Sequence, residues 1–557
     1  MSHYHALRAL RFALSLLLLM SMSAAWLVGA SLQRSAPRLA QLSAQPIEGP
    51  SELRAARRLL RRLTLDLWGE PPSLEALQSL ERWPSSEQQL DALLSDERAS
   101  YWLTRFHEDI FWPALEIGDL INPAASLLLP ATFYEGPLGG EQLFTLFTGL
   151  SRRGGLVPCL DEPAAWDEEG ALIMEEQADG TRREGYVWVT PYWSEEPVKV
   201  CALESLAEES GPAGVSCESF EGLSSGRCGC GATLERCASI DSALELLSSF
   251  RDQVARYAAE HAAEGADYFA LLTRAEEPVN GPIAHYYRHL ASSAIDPIVL
   301  VAPINRAELP SLDFKDRDVW RWTSRAAPVH SGLLTSTPFL LRFQTARARA
   351  NRVSQALLCE PFIATSGVLP SPEDDCSQEP NLRRRCGCAD CHARLEPLSA
   401  HWARFSDAGA LYLDPERFPS YLASCAACAD DGPCPDLCKR FYVSEAPSEA
   451  HRDYLGVLKA YEWRGADEIE RLEAGPSALI EEAISRGALP RCLTQQLFER
   501  LVGRAPHAEE RERLRGYAQE FASDASLRAL IKRLLNDTSY QVESPALWGA
   551  PSTGAQP

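Results

Sequence analysis

Several absences narrow this chain before any motif is read. Neither H-E-x-x-H nor a glycine-rich nucleotide loop occurs, and nothing else points to hydrolytic catalysis or to phosphate cradling by backbone amides. Positive charge is short: 54 Lys and Arg stand against 77 Asp and Glu, a formal net charge of −23. A surface of that sign argues against nucleic acid and anionic lipid as partners; it favours solubility and would suit a basic partner. Past the N-terminal leader no segment has the apolar length of a membrane span. Methionine is scarcest of all. Of four, Met1, Met20 and Met22 fall near the start and Met174 alone lies beyond.

Arg8 and Arg11 precede an apolar run from Phe12 to Trp26, and Val28-Gly29-Ala30 offers small residues for cleavage. Residues 1–30 therefore read as a secretory signal, or as an N-terminal anchor if uncleaved, because Phe12 to Ala30 just suffices to cross a bilayer. No cysteine follows it, which argues against a lipoprotein anchor. The remainder is expected to be exported, periplasmic or secreted, where disulfides persist. With 557 residues the chain exceeds one compact core and calls for several regions.

Cys388-Ala389-Asp390-Cys391-His392 is a C-x-x-C-H string, the pattern of covalent c-type haem attachment. On a helix, positions i, i+3 and i+4 share a face. Two thiols can then form thioethers to the haem vinyl groups while His392 coordinates iron as proximal ligand. The competing reading places Cys388 and Cys391 in disulfides and leaves His392 a bystander. Ala429 follows Cys428, so the other C-x-x-C lacks its histidine: one covalent haem c is expected, and a dihaem peroxidase is not.

The other fourteen cysteines are an even number compatible with up to seven disulfides, whose connectivity spacing does not reveal. Cys425, Cys428, Cys434 and Cys438 could also hold zinc as four thiolates. In an exported chain disulfides are the favoured reading.

The fold class expected is mainly α and multi-helical, with a cytochrome-c-like haem segment and a Cys-rich insertion of short strands and loops. Leu59, Leu60, Leu63 and Leu67 fall on one helical face; Gly69 and Pro71-Pro72 stop that helix, and Ser73 caps the next. Tyr186-Val187-Trp188-Val189-Thr190 reads as a strand. Leu244, Leu247, Phe250, Val254 and Tyr257 stand at core spacing on a later helix, and Ala478 to Leu535 reads as short helices separated near Gly487, Gly503 and Ser523. The regions are 1–30 (leader), 52–136 (helical), 137–240 (insertion), 241–345 (helical), 346–442 (haem attachment), 443–541 (helical) and 542–557 (disordered tail). Asp313 with Asp316, and Asp374 with Asp375, read as solvated loop charges.

Several blocks carry a resemblance. They are Arg61-Arg62-Leu63-Thr64-Leu65-Asp66-Leu67-Trp68-Gly69-Glu70-Pro71-Pro72-Ser73, then Val279-Asn280-Gly281-Pro282-Ile283-Ala284-His285-Tyr286-Tyr287, then His330-Ser331-Gly332-Leu333-Leu334-Thr335 with the run from Arg352 to Leu358-Cys359. The C-x-x-C-H string with Glu396-Pro397-Leu398 and Asp407-Ala408-Gly409 follows, and last Leu501-Val502-Gly503-Arg504. In this order they touch about half of the chain, which resembles the secreted cytochrome-c-like proteins of planctomycetes and myxobacteria, built from domains of unknown function. The resemblance implies a helical, exported, haem-binding protein and names no substrate.

The usual distal ligand of an electron-transfer cytochrome c is methionine. Met174, far from the motif in an acidic loop-like stretch, is a poor candidate. The histidine candidates are His285, His289, His330 and His401. His330 is first among them: it opens a family block, and a turn at Ser331-Gly332 could aim its ring inward. His401 follows His392 by only nine residues, too close to reach the opposite haem face easily. The expected function is one-electron transfer in the periplasm or at the cell surface, with a redox partner protein or a small-molecule donor or acceptor. The alternatives are a five-coordinate haem enzyme and a disulfide-stapled structural or binding protein without haem.

Overall fold

The computed structural model describes residues 46–47, 49–120, 130–133, 142–144, 157–211, 214–217, 228–290, 306–325, 330–362, 371, 373–405 and 412–542. Residues 1–45, which include the stretch read as a leader, positions 407–409 and the residues from 543 lie outside them. The described chain is mainly helical, and its strands pair only as two-stranded ladders.

Two compact units form, one from residues 1–103, 494–517 and 527–557, the other from 104–493 and 518–526. Helices from the N-terminal and C-terminal parts of the chain share the first of these.

In that first unit the helix Pro50–Trp68 starts on a proline, which has no N–H to leave unpaired, and buries Leu59, Leu60, Leu63 and Leu67 as their spacing requires. Gly69, at φ 74°, ends it with its N–H on Leu65 O, and Ser73 Oγ accepts from Ala76 N to cap the next. The helix Leu527–Leu535 buries Leu527, Leu530, Ile531, Leu534 and Leu535. Lys532 Nζ donates to Asp91 Oδ1 at 2.9 Å, and Tyr540 OH donates to Asp66 Oδ2 at 2.8 Å, so early and late described helices are tied together.

The second unit is organised around the helix Ile240–His261, which opens on a reciprocal Ser239–Ser242 capping box. It buries Leu247, Phe250, Val254 and Tyr257, but Leu244 is 51% exposed. At about 100° per residue, Leu244 sits about a third of a turn from Phe250, outside the buried face, so residue spacing alone overextended the core. Tyr186–Val189 pairs antiparallel with Val198–Cys201, and Cys159–Cys201, Cys217–Cys228 and Cys230–Cys237 staple the insertion around Val189, Val200 and Leu234. Further along the chain, Pro476–Ser485, Ala488–Val502, Ala508–Asp524 and Leu527–Leu535 are separated at Gly487 (φ 66°), Gly503 (φ 83°) and Ala525 (φ 51°). The last break falls two residues beyond the one expected at Ser523. No helix among the described residues is long and apolar enough to cross a membrane.

A buried ion pair sits beside the ladder of Glu276–Val279 and Arg321–Ser324. Arg325 Nη1 donates to Glu277 Oε1 at 2.6 Å, and both side chains are wholly shielded from solvent. Strand alternation turns Glu277 inward while Glu276 stays partly exposed and pairs with Arg274. Removing one partner strands the other charge without water. Glu277→Ala should therefore destabilise this unit by about 3–5 kcal/mol, measured as a lowered midpoint of urea unfolding.

Candidate functional site

The C-x-x-C-H string is delivered by a short, cross-linked approach. Cys376–Cys386 closes a ten-residue loop, inside which Arg385 Nε donates to Glu379 O at 2.6 Å. Gly387, at φ 74°, makes a turn that a side chain would strain, and the helix Ala389–Ser399 begins directly after it. Its first bonds run from Ala389 N to Arg385 O at 2.8 Å and from His392 N to Cys388 O at 2.9 Å. Cys388, Cys391 and His392 are thus set on one turn, all partly exposed. Pro397 removes a donor near the helix end, and a 3-10 turn carries the chain to Trp402, which is fully buried and donates from Nε1 to Leu334 O at 2.9 Å.

All fourteen other cysteines are paired. Besides the four bridges already named, Cys359–Cys492, Cys425–Cys438 and Cys428–Cys434 complete seven, and Cys388 and Cys391 alone remain thiols. The zinc reading of Cys425, Cys428, Cys434 and Cys438 is thereby corrected: a sulfur bonded to sulfur has no thiolate to offer a metal.

His392 Nδ1 lies 2.6 Å from Glu396 Oε1, four residues on along the same helix. Arg347, from the helix Ala346–Ala356, donates to the same carboxylate, Nε to Oε1 at 2.7 Å. Burial pushes the Glu396 carboxyl up, but hydrogen bonds from Arg347 and His392 hold it below its ordinary range. The other ring nitrogen of His392, Nε2, has no partner among the described residues. Arg464, 5% exposed, lies in electrostatic reach of Glu396 and Arg383, and among the described residues its Nη1 finds no hydrogen-bond acceptor. Burial lowers its guanidinium from the usual value, while Glu468 works against that shift.

His330 does not meet the expectation of a free distal ligand. It is buried in the core, with Nε2 3.2 Å from Tyr257 OH and Nδ1 2.9 Å from Thr335 Oγ1, so both nitrogens are engaged. The turn at Ser331-Gly332 does aim the ring inward, into this hydrogen-bonded pocket. His285 stacks on Tyr192 with ring centroids 3.8 Å apart, beside His289 at 4.8 Å, and His401 Nδ1 is taken by Gly475 O at 2.9 Å. None of the four shares a hydrogen bond or ring contact with His392. Met174 stands partly exposed next to the short strand Glu175–Glu176.

Sequence reading missed Arg347 and Arg464, which lie far from the motif in the chain. It also missed Glu396, although its place four residues after His392 is a same-face signal. A G-x-S-x-G string also occurs, Gly222-Leu223-Ser224-Ser225-Gly226. It lies outside the described residues, between Cys217 and Cys228, which are bridged to each other. Comparison with protein-family models, with curated proteins and with solved structures gave no match.

Two measurements follow from this geometry. Alkylation of native protein should label no cysteine except Cys388 and Cys391, and peptide mapping should recover the seven cystines; labelling of Cys425 or Cys434 would contradict the pairing. Burial also lowers the pKa of His261, His285, His330 and His401, that of His285 to about 3. These groups stay neutral in the fold while the unfolded chain protonates them below its pKa of about 6.5. Stability is therefore full above that pH and falls as pH drops, by up to about 1.4 kcal/mol per pH unit for each histidine. Urea midpoints at pH 7, 6 and 5 should decline, and His285→Phe should flatten the decline.

Proposed function

We propose that this chain is an exported monohaem c-type cytochrome-like protein that passes single electrons in the periplasm or at the cell surface. One observation carries the reading. In a chain whose fourteen other cysteines are bridged, the two left as thiols are those of C-x-x-C-H, on one helical turn with His392. Cys388 and Cys391 would hold the porphyrin as thioethers and His392 would coordinate iron through Nε2. Arg464 and Arg383 would give counter-charge to the two carboxylates that a haem carries, which fits the unpartnered Nη1 of Arg464. Bound there, haem supplies a ferric/ferrous couple for one-electron transfer. The resemblance to secreted cytochrome-c-like proteins and the leader-like pattern of residues 1–30 support the same reading. The acidic surface favours a redox partner with a basic face, or a small-molecule donor or acceptor.

The hydrogen bonds of His330 favour a second reading, a five-coordinate haem enzyme. With both its nitrogens engaged and Met174 the sole methionine past the leader, the sixth position would stay open to a small molecule.

Expression with a cytochrome c maturation system tests both. The purified protein should keep a Soret band through acid-acetone extraction, and Cys388→Ala with Cys391→Ala should abolish it. A stable, haem-free protein from a competent host, with Cys388 bonded to Cys391, would sink the haem reading and leave a disulfide-stapled protein. In the haem-loaded protein a low-spin ferric spectrum supports simple electron transfer, whereas a high-spin one that shifts on azide addition supports the open site.

A further inference from the structure

We propose that Glu396 is a positioning residue for the iron ligand: its carboxylate takes the Nδ1 proton side of His392, gives the imidazole imidazolate character, and sets the haem at low potential. This rests on the haem-attachment reading above.

The argument starts from the two nitrogens of the ring. An ionised carboxylate only accepts hydrogen bonds, so at 2.6 Å from Oε1 the Nδ1 atom must carry the proton, and the lone pair is left on Nε2. Glu396 therefore selects the tautomer that iron needs. Helix geometry holds the two residues in register, since i and i+4 lie on the same face. At 24% and 18% exposure the pair is largely shielded from water, which would otherwise weaken it. Arg347 fixes the carboxylate from the other side, its guanidinium donating from Nε to Oε1 at 2.7 Å.

An acceptor with a full negative charge differs from a backbone carbonyl. It draws the Nδ1 proton toward itself and raises the basicity of Nε2. A more basic ligand stabilises ferric over ferrous iron and lowers the potential. Arg347 moderates this effect, because the same oxygen accepts from both donors.

The test uses the mature, haem-loaded protein. Wild type and Glu396→Gln are compared by haem stain, by redox titration, and by the iron–histidine stretch of the ferrous protein after photolysis of its carbon monoxide adduct. Glu396→Gln should keep its covalent haem, raise the midpoint potential and lower the stretching frequency. Arg347→Gln, which releases the carboxylate to His392 alone, should raise that frequency, and it provides the second variant if Glu396→Gln does not accumulate. A purely structural role would leave the stretch unmoved. Haem-loaded variants with unchanged frequency overturn this proposal and leave the haem reading standing, whereas a wild type without haem overturns both.

Discussion

The pairing of fourteen cysteines is the constraint on which the candidate site depends. Thiols close in sequence exchange partners readily, and Cys386 stands only two residues before Cys388. Its bridge to Cys376 removes the nearest competitor and at the same time steadies the loop from which the Ala389–Ser399 helix starts. The bridges of Cys425 and Cys428 do the same for the next cysteines downstream. What remains is a pair of thiols whose spacing matches a helical turn and a histidine whose ring is oriented by a carboxylate.

The two units solve the problem of stability differently. Every cysteine belongs to the unit built from 104–493 and 518–526. In its insertion the apolar cluster is small, and three bridges closing loops of 42, 11 and 7 residues compensate by restricting the unfolded chain. The other unit has none and relies on leucine-lined helices with charged latches. Arg513 donates to both oxygens of Asp537, Arg504 does so to Glu510, and Lys532 and Arg528 converge on Asp91.

Features set by local physics were legible in the sequence. Gly69 ends one helix through its left-handed backbone and the Ser73 hydroxyl begins the next, Tyr186–Val189 is a strand, and the glycines at 487 and 503 break the late helices. The mainly helical class followed from the same periodicities. Features set by tertiary encounter were not legible. The partners of the fourteen cysteines, the Glu277–Arg325 pair across 48 residues, and the union of the two chain ends in one unit depend on contacts that spacing does not encode. His330 shows the difference within one residue. Its inward turn was readable from Ser331-Gly332, but the hydroxyls of Tyr257 and Thr335 that occupy its ring come from elsewhere in the fold. Glu396 is the opposite case, a local i,i+4 partner that the sequence displayed and that went unread.

The Cys359–Cys492 bridge has a topological consequence. It closes a covalent ring spanning 133 residues, inside which lie the C-x-x-C-H helix and three smaller rings. A protease that severs one bond between positions 360 and 491 opens this ring without dividing the molecule. Both strands of the cut stay tethered through sulfur, so the segment that holds Cys388 and Cys391 is not shed with a fragment. Damage to a single surface loop of this region is thus separated from loss of that segment, which goes only with reduction of the bridge or with a second cut on its other side.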